Sequence, residues 1–157
     1  MLSYRHPPPP GLTTKGKGNN TMVKVIMGLK GSGKTKQLLS AMHEAVVNEP
    51  GCIVCIEYGN RLTYDADYRV RLIEASDYDQ AGYTFLKGFI SGLHAGNFDI
   101  TQIYIDKLYK VAGSSDIAET EDFLIWCDKF GEANGINFMI MISDEVEKAT
   151  SAMRKYF

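Results

Sequence analysis

Eight residues early in the chain, Gly28-Leu29-Lys30-Gly31-Ser32-Gly33-Lys34-Thr35, bring together glycines, lysines and hydroxyls at the spacing G-x-x-x-x-G-K-T. That spacing is the pattern of a phosphate-binding loop, or P-loop. Glycines lack the Cβ that would block close approach, so successive backbone N–H groups can converge on phosphate oxygens at a helix N-terminus. Gly28, Gly31 and Gly33 are read in that role, and Lys30, Ser32 and Lys36 belong to the same cofactor-binding run. Lys34 brings a mobile ammonium to the terminal phosphates and is the first catalytic expectation. The Thr35 hydroxyl is placed to complete the shell of a magnesium ion that keeps most of its waters.

Such a loop works only between a strand and a helix. Val23-Lys24-Val25-Ile26-Met27 is apolar and β-branched, as a buried strand is, and Leu38, Leu39, Met42, Ala45 and Val46 recur at helical spacing. Glu49-Pro50-Gly51 ends that helix, and Cys52-Ile53-Val54-Cys55-Ile56 reads as a second strand. Residues 57–68 are polar and rich in tyrosine, with Asn60, Arg61, Tyr64, Asp65, Asp67 and Tyr68. In a doubly wound sheet they leave the carboxyl end of a strand on the rim that carries the glycine loop. They are either a substrate or partner surface or a solvated connection. Residues 69–74 alternate as a short strand does, and Tyr83, Leu86, Phe89, Ile90 and Leu93 mark an amphipathic helix that stops near Gly96-Asn97.

Gln102-Ile103-Tyr104-Ile105-Asp106 is the next strand, and an apolar strand ending in aspartate places a carboxylate on that same rim. Asp106 is therefore the expected partner of Thr35 in holding magnesium, in the manner of a Walker B aspartate. Lys107 and Lys110 follow, then a Gly113-Ser114-Ser115 loop. Asp116 and Glu119 have capping-box spacing ahead of an apolar face made by Phe123, Trp126, Cys127 and Phe130, and Asn134-Gly135 is a left-handed stop. Residues 136–142 form the last strand and run into Ser143-Asp144, where Asp144 with Glu147 is expected to cap a short terminal helix.

The 157 residues, 45% hydrophobic and 23% charged, suit one compact α/β domain with a sizeable core, placed at residues 22–157. A formal net charge of −2 gives no general electrostatic reason to bind nucleic acid. No apolar run reaches membrane-spanning length and no apolar signal core stands near the N-terminus, so a cytoplasmic address is expected. Cys52 and Cys55 form C-x-x-C within a strand, where the two thiols would face opposite sides, and this is read as packing. Cys127 adds no partner, and His6, His43 and His94 form no ligand pattern. Residues 1–21 differ in composition: Pro7 to Pro10, then a Gly/Lys/Asn segment, are expected to be disordered or polyproline-like. A proline run of this kind can dock SH3 or WW modules. Alternatively, Lys15-Gly16-Lys17-Gly18 requires purine-rich codons that would resemble a bacterial ribosome-binding site, which makes Met22 the expected start.

The loop, the Asp106 strand and the Ser143 strand together resemble a minimal P-loop NTPase over residues 22–144. The resemblance implies a three-layer fold with a mainly parallel central sheet of about five strands. It is similar to the RecA-like division, in which the last major strand inserts between the P-loop and Walker B strands. In many such ATPases a polar residue at that strand's end senses the terminal phosphate, a role open to Ser143, for which a helix cap is the alternative. No Asn-Lys-x-Asp guanine signature is present, so the implied cofactors are ATP and Mg2+. Residues 52–58 and Ile103-Tyr104-Ile105-Asp106 also resemble the type II thymidine kinase core. That family has Asp-Glu where this chain has Asp106-Lys107, and it closes over its nucleoside with a zinc-bearing C-terminal lasso, where the sequence here runs about fifteen residues past its last strand. A protonated lysine cannot accept a proton from water, so Glu57 and Glu145, each near a strand's carboxyl end, are the expected bases. Three functions follow from the resemblance: a slow or partner-activated ATPase, a small-molecule (nucleoside-like) kinase, or an interaction module that nucleotide stabilises. The partner beyond ATP is then a protein or a small-molecule acceptor.

Overall fold

The computed structural model describes residues 21–157. The expectations for the proline run and for residues 1–20 lie outside the described residues. Five strands, β1 (Val23–Gly28), β2 (Cys52–Glu57), β3 (Val70–Glu74), β4 (Ile100–Ile105) and β5 (Asn137–Ser143), form one sheet in the order β1-β5-β4-β2-β3. Every neighbouring pair is parallel, so each connection must cross over a face of the sheet. The helices α1 (Lys34–Asn48), α2 (Tyr83–Gly96), α3 (Leu108–Ala112), α4 (Ile117–Asn134) and α5 (Ser151–Arg154) belong to those crossovers and to the chain's end.

Strand alternation divides the core in two. From β2, Ile53 and Cys55 turn to one face with Tyr104 of β4 and Met141 of β5, and there they meet Leu38, Met42 and Ala45 of α1. Val54, Ile56, Ile103, Ile105, Ile140 and Ile142 turn to the other face, against Leu86 and Ile90 of α2 and Phe123, Leu124 and Cys127 of α4. Both faces being covered is why these strands read as nearly continuous apolar runs. The C-x-x-C reading agrees with this layout: Cys52 is exposed at the strand's start and Cys55 is buried, with burial pushing its thiol pKa up.

Strand β5 lies between β1 and β4, so the carboxyl ends of β1, β5 and β4 form one continuous rim. Ser143 pairs in register with Gly28, and the Asp144 amide donates to the Gly28 carbonyl at 3.2 Å. At the outer edge of β1, the Val25 amide donates to the Tyr156 carbonyl at 2.7 Å, and Tyr156 and Met153 are buried against the core.

Three local expectations need correction, and one helical turn was not anticipated. Ser143 is the last residue of β5 and not a helix cap. Asp144 does not cap the terminal helix with Glu147: its Oδ1 accepts from the Glu145 amide and from Lys148 Nζ, both at 2.8 Å, and Thr150 caps α5 by accepting from the Met153 amide. The capping box at α4 is half formed: Asp116 accepts from the Glu119 amide at 2.9 Å, but the Glu119 carboxylate takes the Ser114 hydroxyl instead of reaching back. Finally, Leu108–Ala112 is a helical turn in a stretch whose two lysines hid its buried residues, Leu108, Val111 and Ala112.

Candidate functional site

Gly31 and Gly33 sit at φ 86° and 84°, a region that L side chains avoid, and Gly33 leads directly into α1. Gly28 has a different reason to be glycine: a Cβ there would stand 2.8 Å from Ser32 Oγ. Lys34 is 7% exposed, and its ammonium donates to the carbonyls of Gly28 (2.7 Å) and Leu29 (2.8 Å) and to Ser32 Oγ (3.2 Å). Burial lowers its pKa from the ordinary lysine value, with the Asp106 carboxylate opposing.

This loop opens onto a cavity of about 430 Å3. Lys30, Gly31, Gly33, Lys34 and Thr35 form one wall, while Asp106 and Lys107 after β4 and Ser143 at the end of β5 form another. Asp106 is 3% exposed, and burial raises its carboxyl pKa against the pull of Lys107, Lys34 and Arg61. Thr35 and Asp106 supply a hydroxyl and a carboxylate to one space, hard oxygens of the kind magnesium takes alongside phosphate and water. Among the described residues no three His, Cys, Asp or Glu side chains gather as a metal-ligand group.

The remaining expected residues lie elsewhere. Lys36 and Glu145 are exposed and line neither this cavity nor the one beside it. Ser32 turns its hydroxyl to Lys34. Glu57 is 1% exposed, does not line the cavity, and its Oε2 accepts from the Leu62 amide at 3.0 Å. Burial raises its pKa, and the nearby carboxylates of Glu74 and Asp106 raise it further.

Glu57 is half of a mount that sequence reading missed. It pairs in register with Glu74 of β3, so two carboxylates stand side by side at the sheet's rim. Both oxygens of Glu74 accept from the Gly59 amide at 2.9 Å, and Oε2 also accepts from the Asn60 amide at 2.7 Å. Gly59 and Asn60 are both left-handed, at φ 104° and 51°, which turns their N–H groups inward as a nest around that carboxylate. Its pKa is held below the ordinary glutamate value: burial pushes it up, but hydrogen bonds from Ser76, Gly59 and Asn60 outweigh burial. Leu62 is fully buried and fastens the far side. Between these anchors Arg61 is delivered into the lining of the cavity that the glycine loop also lines.

A second cavity of about 220 Å3 adjoins the first and shares Lys30, Arg61, Lys107 and Ser143 with it. Tyr109 and Lys110 of α3 complete its lining. Lys107, at φ 55°, is one of two non-glycine residues with positive φ among those described, the other being Asn60. Burial and the neighbouring Arg61 lower its pKa. The useful sequence signal for Arg61 was its place in the rim loop; for Lys107 and Lys110 it was their position just after Asp106.

No protein-family model and no curated protein matches the chain. No helix among the described residues is long and apolar enough to cross a membrane.

Proposed function

We propose that this protein binds Mg-ATP in the cavity beneath the glycine loop and, alone, turns it over slowly. The observation that carries the reading is the convergence of Gly31, Gly33, Lys34 and Thr35 with Asp106 and Ser143 around one space at a helix N-terminus. Backbone N–H groups and the α1 dipole favour the phosphates, and Lys34 exchanges its hold on loop carbonyls for phosphate oxygens. Thr35 and Asp106 would hold the magnesium that the nucleotide carries in, and that ion would supply neutralisation of the developing phosphate charge. Arg61 and Lys107 add positive charge along the same wall.

Slow turnover follows from which groups face that space. Among the described residues Asp106 is the only carboxylate in the cavity wall, and magnesium would occupy it. Glu57 is bound to the Leu62 amide and Glu145 lies outside, so neither is positioned to take a proton from water. Activation by a partner that brings a base is the route to faster hydrolysis under this reading. Calorimetric titration of Mg-ATP into the wild type and Lys34→Ala tests it. Micromolar-range binding by the wild type, lost or weakened at least about tenfold in the variant, is expected; equal affinity would make the loop structural.

Phosphoryl transfer to a small molecule is the second reading, favoured by the adjoining cavity, which shares Lys107 with the first. Supplying candidate acceptors with labelled ATP separates transfer from hydrolysis.

A further inference from the structure

The cation count at this rim exceeds what one nucleotide needs. Lys30, Lys34, Arg61, Lys107 and Lys110 line the two adjoining cavities, and Asp106 is the single carboxylate among the lining residues. The surplus is four positive charges, in a chain whose formal net charge is −2. None of Lys30, Arg61, Lys107 and Lys110 forms a salt bridge among the described residues. Mg-ATP is a dianion, so it offsets only half of that surplus. Lys30, Arg61 and Lys110 are exposed, so water and salt screen much of their mutual repulsion, and an anion seated among them relieves what remains.

The geometry points to a second anion site: we propose that the smaller cavity binds a phosphate group, beside the nucleotide and simultaneously with it. This rests on the Mg-ATP reading for the charge balance, since a phosphate dianion neutralises what Mg-ATP leaves. Lys30, Arg61, Lys107 and Lys110 surround the space with donors, and Ser143 adds a hydroxyl. Tyr109 supplies an aromatic wall, which suits the carbon frame of a small phosphate ester. At about 220 Å3 the cavity is below the ~300–1,000 Å3 of typical ligand pockets, so the ligand is compact. An extended polyanion is disfavoured because the chain as a whole is acidic.

Two sources can provide that group, a small phosphate ester and inorganic phosphate left by hydrolysis. The full chain is saturated with Mg2+ and the non-hydrolysable β,γ-imido analogue of ATP, then titrated with inorganic phosphate and, separately, with glycerol 3-phosphate. One anion should bind per nucleotide-loaded molecule. Tighter binding of the ester assigns the site to an organic phosphate, and tighter binding of inorganic phosphate assigns it to the product. Lys110 is exposed on α3 and lines only the smaller cavity, so Lys110→Met tests the site with little risk to folding. The variant should bind the better anion at least about tenfold more weakly, as expected for one lost charge-assisted hydrogen bond. Absence of binding by both anions up to about 10 mM, or equal binding by wild type and Lys110→Met, overturns the proposal. If the imido analogue itself does not bind, the Mg-ATP reading fails by itself. The same titration on Lys34→Ala, with and without Lys110→Met, then decides the anion site alone by the same two outcomes.

Discussion

Replacing Glu74 by alanine should weaken nucleotide binding although Glu74 touches no part of the cavity. Its carboxylate accepts from four donors: the amides of Gly59, Asn60 and Ser76 and the Ser76 hydroxyl. Hydrogen bonds to a charged acceptor contribute about 1.5–3 kcal/mol each, but residues 59, 60 and 76 are exposed, so water re-satisfies much of what is lost. A net cost of about 2–4 kcal/mol follows, concentrated in the loop that holds Arg61. Releasing Arg61 from the cavity wall should cost about 1.4 kcal/mol of binding, a tenfold rise in the Kd for Mg-ATP. Denaturant melts and calorimetric titration measure the two effects, and hydrogen exchange at Gly59 and Asn60 reports the loop directly. In an Arg61→Ala background the Glu74→Ala change should have almost no further effect on affinity, because both act through one side chain. Unchanged affinity with unprotected Gly59 and Asn60 amides would refute the mount, as would additive losses in the double variant. The pH dependence has a definite sign. Since Glu74 has its folded pKa below the ordinary value of 4.5, its stabilisation is complete above that value and is lost as pH falls through the folded pKa.

Steady-state phosphate release by the isolated wild type should fall well below the enzyme median of about 10 per second, and Glu145→Gln should leave it unchanged; rapid turnover abolished by that variant would restore Glu145 as the base. Glu57, whose folded pKa is raised, contributes stability that is present at low pH and lost as pH rises through the folded value. A pH series of melts should therefore show Glu57→Gln losing less stability than wild type between acid and neutral pH, and parallel curves would contradict that. Lys107→Gly and Lys107→Ala both remove a cation, but only glycine relieves the φ of 55°, so the glycine variant should be about 1 kcal/mol the more stable in chemical denaturation. Equal stability would show that the backbone there is unstrained.

What could be read from the chain was local. The glycine loop, its strand and its helix lie within 26 consecutive residues, Val23–Gly28 through Lys34–Asn48, and each is specified by neighbours in sequence. Asp106 was legible because a strand end fixes where the next side chain goes. For Arg61 only its loop and rim were legible; its exact place depends on Glu74, which is 13 residues further along and reaches the loop only once β2 and β3 have paired in register. Glu57 misled for the same reason: proximity to a strand's carboxyl end says nothing of whether a backbone amide has already claimed the carboxylate. The α3 turn escaped because five residues with two polar ones, Tyr109 and Lys110, carry too little period to detect.

The placement of β5 between β1 and β4 also has a consequence for synthesis. Among the described residues the first strand made, β1, has one strand neighbour, β5, and 120 residues separate Val23 from Ser143. At ~5–20 residues per second a ribosome needs roughly 6–24 s to produce that neighbour, and the Tyr156 carbonyl that meets Val25 comes later still. During that interval the apolar Val23–Gly28 segment has both edges open, a condition that invites pairing with other nascent chains. Under the proposed Mg-ATP reading, nucleotide would not shorten the wait, because the Asp106 and Ser143 walls do not yet exist or have not yet docked. Chaperone supply during translation should therefore govern soluble yield more strongly than it governs the finished protein's stability.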